Sequence, residues 1–117
     1  MKKIYSGKRS GVGGQEVKVK YEDGRQRPLR HVECHSPDGF EWGYGGSGPA
    51  DLALSILSDM GLGEKEAFRL HQQFKADVIA GLKRDEFELA EAEVQAWIDA
   101  YRKSVPIGDY AYPRDIK

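Results

Sequence analysis

The stretch Phe40-Glu41-Trp42-Gly43-Tyr44-Gly45-Gly46-Ser47-Gly48-Pro49-Ala50 concentrates the most distinctive chemistry of the chain. Three aromatic residues at alternate positions run into a glycine turn that opens a helix. Amides at a helix N-terminus have no partner inside the helix and, with the helix dipole, attract anions. Glycine lets a ligand approach the backbone closely, and aromatic faces beside such a turn can stack a base. The pattern therefore predicts a site for a small phosphorylated, nucleotide-like ligand. Trp42 and Tyr44 would stack, the amides of Gly45, Gly46, Ser47 and Gly48 would hold phosphate, and Arg25 or Arg30 would supply the cation. The stretch lacks both the Lys-Ser/Thr ending of an NTPase phosphate loop and the GxGxxG of a dinucleotide fold. A second reading stays open, in which the glycines only allow close strand-to-helix packing and the aromatics fill the core.

A second group, His31, Glu33, Cys34 and His35, consists of residue types that ligate metals. On a strand His31, Glu33 and His35 would share one face and Cys34 would point away. Apart from the distant His71, the sequence offers no further cluster to complete a site, so a surface strand with a buried cysteine is expected, with no metal and no cofactor. Adjacent Cys34 and His35 would point oppositely and give no nucleophile–base pair. Asp38 and Glu41 are single carboxylates in or beside a turn. The expectation is a protein that is not an enzyme.

The 117 residues fit one domain. Lys+Arg 18 against Asp+Glu 19 gives a net charge of −1, which excludes an argument for nucleic acid or membrane from total charge. The distribution is uneven: nine basic residues lie in 1–46, among them Lys18 and Lys20 on the strand face opposite Val17 and Val19. Such a face either contacts phosphates or is merely solvated. One cysteine suits a reducing compartment, and no apolar run reaches the roughly 20 residues of a membrane helix. A cytoplasmic protein without membrane contact is expected.

These residues need a scaffold, and the sequence changes period near Ser47. Before it, alternation marks strands: a short one near Lys3–Tyr5, a firm one over Glu16–Tyr21, a return after Asp23-Gly24 over Arg25–Arg30, then Leu29–His35 and Phe40–Tyr44. After it, apolar residues recur with helical spacing over 50–60, 64–82 and 90–102. Residues 83–89 read as a polar link whose Phe87 and Leu89 turn inward. The fold class expected is α+β, a small antiparallel sheet of about four strands within residues 3–44, with three helices on one face. The domain spans 1–103 and a tail with Tyr110 and Tyr112 covers 104–117.

The block His35-Ser36-Pro37-Asp38-Gly39-Phe40-Glu41-Trp42-Gly43-Tyr44-Gly45-Gly46-Ser47-Gly48-Pro49-Ala50-Asp51-Leu52-Ala53-Leu54, with the earlier Tyr5-Ser6-Gly7-Lys8-Arg9, resembles a small domain-of-unknown-function family of bacteria, bacteriophages and mobile elements. Ala90 stands where a Thr N-cap is expected for the third helix, which puts a capping box with Glu93 in question. The resemblance implies no activity but a setting, the conflict between phages and hosts. The leading expectation is a non-enzymatic protein that captures a small phosphorylated ligand such as a nucleotide immune signal, alone or across a homo-oligomer interface in the host cytosol. The alternatives are a module that docks on and inhibits a host defence protein, and a weak nucleic-acid binder using Lys18, Lys20 and Arg25.

Overall fold

The structure, a computed structural model, describes residues 2–11 and 13–104. Strands β1 (Lys3–Lys8), β2 (Val17–Tyr21), β3 (Gln26–Pro28) and β4 (Glu86–Ala90) form one antiparallel sheet in the order β3-β2-β1-β4. Helices α1 (Ser47–Asp59), α2 (Glu64–Asp77) and α3 (Glu91–Ser104) complete the α+β fold. Alternation in β2 buries Val17 and Val19 and exposes Lys18. Tyr5 lies across from Val19 and Leu89, and Gly7 across from Val17 and Phe87. One sheet face is therefore apolar and joins the helices in a core with Trp42, Leu52, Ile56, Leu70, Phe74, Val94 and Ile98. The other face carries mostly polar and charged side chains, with Ile4 exposed among them. Gly7 is required where it stands: a Cβ there would lie 2.5 Å from the Phe87 ring and 2.8 Å from the Trp42 ring.

Four details depart from the expectation. Leu29–His35 and Phe40–Tyr44 are not strands. They belong to an irregular crossing in which only Phe40 makes a bridge, to Gln15. The fourth strand is instead β4, drawn from the segment expected to be a link. There Phe87 and Leu89 do turn inward while Glu86 and Glu88 stay exposed. Helix α2 stops at Asp77 rather than near Leu82, and a 3-10 turn at Ile79–Gly81 follows. Ile79 is fully buried at this turn, and its carbonyl accepts the Gly43 amide at 3.0 Å. Finally, Ala90 does not abolish the cap of α3, because the Ala90 amide donates to Glu93 Oε1 at 3.1 Å. This is the backbone half of a capping box. The tyrosine-containing tail lies outside the described residues.

Candidate functional site

Trp42 is 0% exposed. Its ring meets Phe87 edge-on at 4.9 Å between centroids, Arg9 lies over it at 5.0 Å, and Nε1–H donates to the Arg84 carbonyl at 3.1 Å. A ring spent this way has no free face for a base, so stacking falls to Tyr44 alone, which is 41% exposed with Arg84 over it. Of the glycines, Gly45 opens onto free space, whereas a Cβ at Gly46 would meet the Tyr44 ring at 2.7 Å and one at Gly48 would meet Glu41 Cβ at 2.7 Å. Gly48 thus serves the close approach of helix and incoming chain. Ser47 is exposed at the first turn of α1. Glu41 is held by Arg9 through N···O approaches of 2.9 and 2.8 Å, which keeps its carboxyl below the usual range despite partial burial.

The two cations assigned to this turn lie elsewhere. Arg25 sits in the β2–β3 turn, paired with Asp23 at 2.7 Å and close over Tyr21. Arg30 lines a small recess of about 130 Å³ with Ser55, Ser58 and Asp59. Arg30 thus lies away from the first turn at Ser47, beside the C-terminal half of α1. That end is anchored by Asp59, which receives Lys3 Nζ at 2.9 Å, Tyr5 Oη at 2.8 Å and Arg27 at 2.8 Å. Burial works against its charge, but the three donors outweigh burial and hold the carboxyl below its ordinary range. The Tyr5 hydroxyl is pushed far up by burial and by its bond to Asp59.

Residues 31–36, where ligand-type side chains cluster in the sequence, are held by a clasp on α1. Asp51 is fully buried in α1, and its carboxylate accepts the amides of Cys34 at 3.2 Å, His35 at 2.8 Å and Ser36 at 3.0 Å, and His31 Nε2 at 2.8 Å. A carboxylate only accepts, so His31 presents Nε2–H to it. Ser55, one turn on, accepts the Val32 amide at 2.8 Å. The ring of His35 reaches the buried His71 of α2, with Nε2···Nε2 at 3.0 Å. Cys34, expected inside, is exposed because the segment is a bent loop rather than a strand. Among the described residues, no group of three or more His, Cys, Asp or Glu could hold a metal ion.

A different surface gathers unspent charge. On the open face of the sheet lies a trough of about 780 Å³ lined by Ser6, Lys8, Ser10, Glu16, Lys18, Lys20 and Gln26 among others. Among the described residues, Lys8, Lys18 and Lys20 form no ion pair. Arg9, also in the lining, is committed to Glu41 and, through Nε, to the Arg84 carbonyl at 2.8 Å. The alternation of Lys18 and Lys20 was visible in the sequence. Lys8 joins them because β1 pairs with β2, which alternation within β1 alone does not reveal.

A four-stranded antiparallel sheet with one face on three helices and one face open defines a small α+β protein. The chain belongs to DUF6166, a family of unknown function, whose sequence model matches residues 5–100. No curated protein and no solved structure matches it. Among the described residues no helix is long and apolar enough to cross a membrane.

Proposed function

We propose that this protein is a non-enzymatic binding protein that captures a small phosphorylated ligand on the open face of its sheet. The observation that carries the reading is the set of three unpaired lysines, Lys8, Lys18 and Lys20, in one polar trough. Its volume falls in the range of small-molecule sites, and Ser6, Ser10 and Gln26 add neutral hydrogen-bonding groups beside the cations. The ligand class is the one expected for the glycine turn, but the seat is different. Trp42 and Gly48 are occupied by packing, whereas these lysines form no ion pair among the described residues. In the phage–host setting that the sequence resemblance implies, such a protein would act by withholding a nucleotide signal.

Native mass spectrometry of protein purified from cells should show a retained small molecule, and a thermal-shift panel of phosphorylated compounds should identify its class. A ligand at a hundred times its Kd adds about 2.7 kcal/mol, or roughly 10 °C of Tm in a domain of this size. The triple variant Lys8→Ala/Lys18→Ala/Lys20→Ala should lose the shift while its unliganded Tm stays within a few degrees. A panel without any shift and no retained molecule, or a shift that survives in the triple variant, overturns the proposal.

A further inference from the structure

The register of the sheet sets the three lysines in a row. Lys18 and Lys20 are alternate residues of β2 on its open face, about 7 Å apart at the rise of a strand. Ser6 lies directly opposite Lys18, so Lys8, two residues beyond Ser6 in β1, is the diagonal neighbour of Lys18 at about 7–8 Å. The order across the face is Lys20, Lys18, Lys8, with a nearly constant step and the two outer cations on opposite sides of the middle one. Gln26 lies opposite Lys20 in β3, and Ser6 lies beside Lys18. Acidic groups bound the row: Glu88 is opposite Ser6 and Glu86 opposite Lys8 on β4, and Glu16 precedes β2.

We infer that the phosphates of the ligand are set apart along a chain, one to each lysine, and that the trough takes a short phosphodiester-linked oligonucleotide rather than a nucleoside polyphosphate. This rests on the reading of the sheet face as a phosphate site. Successive phosphates of an extended nucleotide chain are separated by a sugar and recur at about the step of the lysines. The phosphates of a triphosphate share bridging oxygens and fit within a single step, so they would engage one or two of the cations and leave the third unused. The glutamates on β4 and at the head of β2 repel a backbone that strays from the row and so fix its path. Among the described residues no aromatic ring lines the trough, so the lysine spacing carries the selectivity, with no preference for a particular base.

The test compares three probes by isothermal titration calorimetry at two salt concentrations: a trinucleotide with a 5′-phosphate, ATP, and inorganic tripolyphosphate. The trinucleotide should bind at least tenfold tighter than either of the others. Its log K should fall with log salt with a slope of about −2, at roughly −0.7 per phosphate contact on a single strand. Lys8→Ala, Lys18→Ala and Lys20→Ala should each flatten that slope by about 0.7, and Lys83→Ala, off the trough, should leave it unchanged. If ATP or tripolyphosphate binds as tightly as the trinucleotide, the spacing argument falls and the phosphate reading of the face stands. If none of the three binds at millimolar concentration, both fall. If the trinucleotide binds but the lysine variants keep its slope, the row is not the contact and the inference is wrong.

Discussion

Removing the Asp51 carboxylate is the most direct test of what holds the irregular crossing over α1. In Asp51→Ala, three backbone amides and one imidazole lose their acceptor at once. An amide left unpaired in a buried site costs about 1–3 kcal/mol, and hydrogen bonds to a charged acceptor lie at the upper part of their range. The side chain is 0% exposed, so water cannot replace the carboxylate without the loop lifting. His31 is partly accessible and recovers a water bond, so it adds little. A loss of about 3–5 kcal/mol follows, which at about 4 °C per kcal/mol for a domain near this size lowers Tm by roughly 12–20 °C. Asp51→Asn keeps one acceptor oxygen but turns an NH₂ toward donors, so it should recover no more than about half of the loss. Thermal unfolding followed by circular dichroism measures the totals. Hydrogen exchange at residues 34–36 locates them, because those amides should lose protection before the sheet does. An Asp51→Ala protein that melts within 3 °C of the parent, with protection at 34–36 unchanged, would refute the clasp.

Two further outcomes are expected. Trp42→Ala should cost about 3–5 kcal/mol, as for a core aromatic, whereas Tyr44→Ala, on the surface, should stay within about 0.5 kcal/mol; urea unfolding of both variants separates them, and a mild Trp42→Ala would return that ring to the list of candidate ligand contacts. Burial lowers the His71 pKa, with His35 and Lys75 acting in the same direction and the Phe68 carbonyl and Asp51 opposing, so the folded state keeps this ring neutral where the unfolded chain takes up a proton. Stability is then full above about pH 7 and drains as pH falls through the ordinary imidazole value near 6.5, before carboxylates such as Asp59 begin to titrate; in His71→Gln the Tm should change less between pH 7.5 and 5.5, and an equal slope in both proteins would remove His71 as the cause.

How much was legible depended on whether the pairing partner was near in sequence. Val17–Tyr21 announced itself by alternation, and the Asp23-Gly24 turn followed because a hairpin is a local event. The helices were equally plain, since Leu70 and Phe74, or Val94 and Ile98, encode their inner faces within a few residues. Glu86–Ala90 alternates too, but its partner is β1, at the other end of the chain, and five residues between two helices give no hint of that. The reverse error befell Leu29–His35 and Phe40–Tyr44, which look like strands but have their backbone groups satisfied by Asp51, Ser55 and Gln15. Asp51, Ser55, Ser58 and Asp59 recur with helical spacing along one side of α1, and nothing local shows that Asp51 and Ser55 face a loop. For the candidate site, the spacing of Trp42, Tyr44 and the glycines was visible, but whether an aromatic is free or buried is decided by Gly7 and Phe87, far away in the chain. The lysines of β2 were visible as a face, and only the register with β1 turned them into a row.

The strand order has a consequence for how the molecule comes into being. β1 precedes the other described strands in the chain, yet it lies inside the sheet, and its second neighbour is β4, nearly the whole domain later. As the chain leaves the ribosome, the hairpin of β1 and β2 can form early, but the outer edge of β1 stays bare until residue 90 has emerged. Pairings this distant slow folding and leave an unpaired strand edge open to aggregation meanwhile. The sheet is complete only when Glu86–Ala90 pairs with β1. A truncation of only the first eight residues would remove the middle of the sheet rather than its margin, leaving β2 with β3 on one side and β4 stranded on the other.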